Sequence, residues 1–189
     1  MKKLLSFIFI INIINTSFSQ DILLADIAKR VHLDSAICSY TFYVTDKQVT
    51  NVNGKQFYWY KAGRILVTME GYEGRLLDGS FEKTYLNRNL CERGEFRNGM
   101  KTGLWRSWYE TGILKEKSHW DKGIQKDTER FDSLGRTTEK GSYKETTFTG
   151  TRYGYSKDGK AKETSYNNGE MVNTVTDDKK NTQGNTKTP

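Results

Sequence analysis

The chain has 189 residues, 35% of them apolar and 28% charged, with a formal net charge of +7. That is enough for one domain of ordinary size. Basic and acidic residues are interspersed rather than gathered in a patch or stripe, which argues against nucleic acid as a partner.

The first segment is predicted to be an export signal, residues 1–19. MKK supplies a basic start, Leu4–Ile14 (LLSFIFIINII) an apolar run, and NTSFSQ the small residues before a cut. Ser17 and Ser19 fit the two positions that signal peptidase reads, leaving Gln20 as the new N-terminus. The other reading is an uncleaved membrane anchor, but the run is shorter than the about 20 residues a span needs. No stable membrane span is expected after cleavage, although contact with a membrane surface stays open. No cysteine lies at the cut, which disfavours a lipid anchor. Cleavage would remove Lys2 and Lys3, leaving 28 basic against 23 acidic side chains and a net charge of +5. The expected location is the periplasm or the outside of the cell.

Residues 20–56 read as an N-terminal cap and strand segment. DILLADIAKRV (21–31) carries apolar residues at 23, 24, 27, 28 and 31, the spacing of a short amphipathic helix. Such a helix could cover one end of a sheet. AICSYTFYV (36–44) reads as a strand, and TDKQVTNVNGKQ (45–56) as a polar loop or loose hairpin.

From Ala36 to about Gly169 aromatics, Thr and Gly dominate, and the only proline is residue 189. Turn signals punctuate short alternating runs: NG at 53–54 and 98–99, DG at 78–79 and 158–159, and NNG at 167–169. Closely spaced short strands predict an all-β protein. A shift of 24 residues superposes Phe81 on Trp105, Tyr85 on Tyr109, Leu90 on Leu114, Glu92 on Glu116, Phe96 on Trp120 and Gly99 on Gly123. Looser copies of the same aromatic-and-glycine frame begin at Tyr60, Phe131 and Tyr155, and Arg88 stands where the other copies have a turn glycine. Residues 57–173 are therefore predicted to be an array of repeated β-hairpins.

Period-2 counting then assigns faces. Trp105, Ser107 and Tyr109 share one, as do Leu114, Glu116, Ser118 and Trp120. Phe81, Lys83 and Tyr85 repeat the pattern, with Leu90, Glu92, Gly94 and Phe96, and so do Glu139, Gly141 and Tyr143. On this count Cys91 and Lys115 fall on the polar side. A lone hairpin is marginal in water, so each copy needs its neighbour. Residues 174–189 have no apolar pattern and read as a disordered tail.

These residues resemble a known family. GLWRSWYETGILKEKSHWDKG (103–123) is similar to the bacterial variant of the MORN repeat, through Gly103, Trp105, Tyr109, Gly112, Leu114, Trp120 and Gly123, with the frame's glutamate at 116. FYWYKAGRILVTMEGYEGRLLDGSF also resembles the segment that opens such arrays. The resemblance covers roughly residues 57–170. It implies an elongated, twisted antiparallel sheet of successive hairpins that serves as scaffold or interaction surface. It also brings the label "YwqK-family antitoxin" and, for many members, export.

Chemistry is sparse. Cys38 and Cys91 could pair in an oxidising compartment or stay as free thiols, and their separation does not decide it. Of the two histidines, His32 lies in the cap segment and His119 on the polar side. A Cys91–His119 nucleophile pair lacks a third orienting group and an oxyanion motif. No catalytic, metal or cofactor residue is assigned, and no cofactor is expected. Glu92, Glu116 and Glu139 recur at one frame position, either as a row that binds a cation or basic ligand or as acceptors for neighbouring Lys, Tyr or Trp. Together with Trp105, Trp108, Tyr109 and Trp120 they form the candidate binding surface. The expected function is an exported, non-enzymatic protein-binding or scaffold surface in the cell envelope. The alternatives are an antitoxin or immunity-type partner of a single protein, and an enzyme using Cys91 or His119.

Overall fold

Alternating aromatic and Thr positions, with no internal proline to remove a ladder donor, favour strands throughout the chain. A computed structural model describes residues 29–50, 54–69 and 71–176, and every regular element among them is a strand. These are β1 (Lys29–Asp34), β2 (Cys38–Thr45), β3 (Phe57–Lys61), β4 (Arg64–Thr68), β5 (Arg75–Tyr85), β6 (Leu90–Arg97) and β7 (Met100–Trp108). They are followed by β8 (Leu114–Asp121), β9 (Ile124–Phe131), β10 (Thr137–Lys144), β11 (Thr147–Tyr155), β12 (Ala161–Asn167) and β13 (Glu170–Thr176). The protein is all-β, one open antiparallel sheet of 13 strands. Neighbours follow chain order except that β2 pairs with β5, while β3 pairs with β4 and with the start of β5.

The expected export signal, most of the expected cap helix, Asn53 of the first NG turn and residues 177–189 lie outside the described residues. Where the cap helix can be checked it is not a helix. Lys29–Val31 open β1, pairing Lys29 with Val44 and Val31 with Phe42. The free edge of β2 offers these residues a ladder of hydrogen bonds, and Val31 and Leu33, two apart, both pack on the core. At the other end Thr174–Thr176, expected to belong to the tail, are part of β13.

Two kinds of turn recur between the strands. At Ala62–Gly63, Asn98–Gly99, Lys122–Gly123 and Asn168–Gly169 both central residues have positive φ, the type I′ geometry that matches strand twist. Along the opposite edge, Arg88, Gly112, Gly135 and Gly159 donate back to Tyr85, Tyr109, Asp132 and Ser156, at 2.8 to 3.0 Å. All four donors have positive φ, Arg88 included. The DG at 78–79 makes no turn. It lies inside β5, where Gly79 at φ 114° absorbs a register shift against β2. Because β5 pairs on both sides, the extra residues there become a bulge.

The core lies on one side of the sheet's N-terminal half. Phe42, Val44, Leu77, Phe81, Phe96 and Trp105 are buried together. The β3–β4 hairpin folds over them, bringing Tyr58 onto Phe96 (4.8 Å between ring centroids) and Tyr60 onto Phe42 (5.5 Å). A second cluster joins Phe57, Trp59, Leu76 and Met100. Trp105 packs flat on the backbone of Gly94, where a Cβ would overlap the indole. Gly141 and Gly150 similarly make room for Phe148.

Candidate functional site

Two further bulges change which residues face the core. One lies between Lys83 and Thr84 on β5 against β6, the other between Ser107 and Trp108 on β7 against β8. Each inserts one extra residue, Cys91 or Lys115, and shifts the alternation by one. Cys91 therefore lines one hollow with Cys38, Lys83 and Tyr85, and the Lys115 Nζ lies 5.6 Å from the centre of the Tyr109 ring. Both sit on the aromatic side, contrary to the period-2 count. Leu90 and Leu114 move to the other side, with Leu114 paired to Trp108.

On the aromatic side a single ladder crosses the sheet: Lys83, Glu92, Ser107, Glu116, Arg130, Glu139 and Arg152. The three glutamates expected in a row are thus not neighbours, since Ser107 and Arg130 come between them. Glu139, 6% exposed, accepts from Arg130 Nη1 at 2.7 Å, Arg152 Nε at 2.8 Å and the Tyr143 hydroxyl at 3.2 Å. Glu116 accepts from Arg130 Nε and Thr128 Oγ1, both at 3.3 Å. Glu92 accepts from Lys101 Nζ at 2.8 Å. That ammonium is held among the rings of Trp105 (3.9 Å), Trp120 (5.3 Å) and Tyr58 (5.7 Å). Every buried side-chain nitrogen or oxygen among the described residues has a partner. The geometry is that of carboxylates satisfied by their own sheet, and no group of three or more His, Cys, Asp or Glu among the described residues could hold a metal ion.

The thiols are free. Cys38 is buried on β2 opposite Tyr85, and Cys91 lies across β5 on β6, so one strand separates them. Two strand spacings amount to about 9–10 Å, beyond the about 7 Å limit between the Cα atoms of a disulfide. A hydrogen bond to Cys38, then burial, pushes the Tyr40 phenol up to about 12. Cys91, then burial, does the same for Tyr85. Cys91 and His119 are not brought together. His119 is on the opposite face, 2.9 Å from Asp127 Oδ1, and half-exposed.

The second face is open and polar. Its central ladder reads Glu82, Arg93, Arg106, Lys117, Glu129, Lys140. Arg93 pairs with Glu82 at 3.1 Å, and Lys117 and Lys140 pair with Glu129 at 3.1 and 3.5 Å. The Lys117 hydrogen bond, opposed by partial burial, holds the Glu129 carboxyl below its usual range. Arg106 lies between Arg93 and Lys117, exposed, with no ion pair among the described residues. Trp108, two residues along β7 on the same face, is half-buried and opposite Leu114.

Of the candidate surface residues, Trp105 and Glu139 are thus interior, and Trp120 is packed on the core with its indole N–H on Ser118. Tyr109 donates its hydroxyl to the Phe131 carbonyl, as Tyr85 does to Trp108. Only Trp108 belongs to the open face. Sequence reasoning missed Arg106, although its place two residues before Trp108 was readable from the alternation. The fold defines an open-faced, all-β sheet protein. No family model matches the chain, and no curated protein or solved structure matches it.

Proposed function

We propose that this chain is an exported, non-enzymatic binding protein of the cell envelope, and that its partner is a protein docking on the open face at Arg93, Arg106, Trp108 and Lys117. The observation that carries this reading is the run of three cations on adjacent strands with an unpaired arginine at its centre. Like charges placed directly opposite one another destabilise a sheet. An acidic surface brought against them removes that cost. Arginine and tryptophan are also the residue types that most often dominate protein–protein binding energy. The partner is accordingly one that presents carboxylates around an apolar contact for Trp108.

The repeat reading belongs to the same proposal. Turns with one hydrogen-bond pattern begin at Tyr85, Tyr109, Asp132 and Ser156, which supports a hairpin array similar to the bacterial MORN variant. A stack of hairpins gives a broad, regular face at little cost in loops.

The test is affinity capture from envelope extract with the full chain, compared with Arg106→Glu and Trp108→Ala. Both variants should keep the wild-type circular dichroism and lose the captured partner, while Lys115→Ala on the other side keeps it. A partner retained by both variants overturns the surface. N-terminal sequencing of protein from the envelope fraction should begin at Gln20, and a chain still beginning at Met1 removes the export argument. Capture of one protein in fixed ratio, rather than several, would favour the antitoxin-like reading over a scaffold.

A further inference from the structure

Between the β3–β4 hairpin and the sheet is a cavity of about 240 Å³. Its walls include rings from five strands: Tyr40 on β2, Tyr58 on β3, Phe81 on β5, Phe96 on β6 and Trp105 on β7. Its charged groups are Lys83, Lys101 and Glu92. The two ammonium groups differ in their surroundings. Lys101 is bound to Glu92 at 2.8 Å and lies 3.9 Å from the centre of the Trp105 ring. Lys83 is half-buried, its Nζ 5.4 Å from the centre of the Tyr40 ring, and makes no ion pair among the described residues. Glu92 lies directly opposite Lys83 in the ladder but is engaged by Lys101. The cavity therefore carries one uncompensated positive charge within aromatic walls.

We propose that this cavity binds a small organic monoanion, a carboxylate on a single flat ring or a short hydrocarbon body. The volume is below the about 300–1,000 Å³ of sites for drug-sized ligands, which limits the occupant to single-ring size. The rings supply a stacking and apolar surface, and Lys83 supplies the charge that fixes orientation. A neutral ligand leaves that ammonium unbalanced, and a cation adds to the repulsion. The hollow around His119 and Asp127 on the open face lacks this character, since its histidine, lysines and carboxylates are already paired with one another.

Calorimetric titration of the full chain with benzoate and cyclohexanecarboxylate tests the proposal, with benzamide as the neutral counterpart of benzoate. Saturable one-to-one binding of at least one carboxylate is expected. Benzamide should bind at least about tenfold more weakly, a difference of about 1.4 kcal/mol. Lys83→Met, which keeps the stem and removes the charge, should weaken carboxylate binding to a similar degree, whereas Lys83→Arg should retain it. Equal affinity for benzamide, or no effect of Lys83→Met, overturns the role of the charge. Absence of saturable binding by both carboxylates overturns the site. Lys83 lies on the side away from Arg106 and Trp108, so partner capture by Lys83→Met should be unchanged whichever way the titrations fall.

Discussion

The two halves of the sheet are held together differently. From β2 to β7 the aromatic side is covered by the β3–β4 hairpin, and Phe42, Phe81, Phe96 and Trp105 are at most 5% exposed. From β8 to β12 nothing among the described residues folds back over that side. The buried positions there are Ser118, Thr128, Glu139 and Phe148, and the ladder Glu116–Arg130–Glu139–Arg152 takes the place of a ring cluster. A one-layer sheet evidently needs an apolar cover only where it has one to bury. Elsewhere alternating charge keeps neighbouring strands in register without a second layer, because each acid lies opposite a base.

The largest expected effect comes from the covered half. Trp105→Ala should cost about 3–5 kcal/mol in a urea melt, through lost burial and the cavity left over Gly94. Glu139→Ala should cost about 1–3 kcal/mol, less than the loss of a fully buried pair, because Arg130 and Arg152 are half-exposed and can turn to water. That loss should shrink in high salt, whereas the Trp105 loss should not. Equal costs with equal salt response would break the contrast between the halves.

A smaller effect concerns acid. The folded state holds the Glu129 carboxyl below its reference value of 4.5. Its contribution is therefore fully present above that value and is lost as pH falls through the lower folded pKa. Glu129→Gln should lower stability at neutral pH, and the difference from wild type should close as pH falls below about 4.5, as measured by melts across pH. The smallest effect is expected at Lys115→Ala. Its ammonium is exposed above the Tyr109 ring, and its removal should stay within about ±0.5 kcal/mol. A larger loss would show that the ring contact matters more than exposure suggests.

Turn chemistry was the most legible feature of the sequence. Asn98–Gly99 and Asn168–Gly169 announce positive φ, and even Arg88 could be placed from the frame although it is not glycine. The bulges at Cys91 and Lys115 were not legible, because a period-2 count carried from Phe96 to Leu90 does not register an extra residue. Asp78–Gly79 has the composition of a turn, but pairing on both edges of β5 kept it in the strand. The glutamate row misled for a related reason. A 24-residue frame spans two strands, so it aligns every second strand and is blind to what lies between. Arg130 and Arg152 enter the ladder through register alone. Lys29–Val31 show tertiary pairing overriding a helical period. Of the candidate site, the aromatics were recognised, but burial divides them into core and surface, and only Trp108 reached the open face.

The two departures from sequential pairing, β2 with β5 and β3 with β5, have a consequence for how the molecule assembles. Every other neighbouring strand pair is joined by a short connection, whereas β3 and β5 meet across β4, and β2 and β5 close only after the whole β3–β4 segment has been looped out. Local contacts form quickly, and closure of a longer loop must be completed before its contacts contribute. Refolding should therefore begin among β6 to β12 and finish with the docking of β1 and β2. The rings that fill the core, Phe42 among them, would then be the last to become protected from solvent.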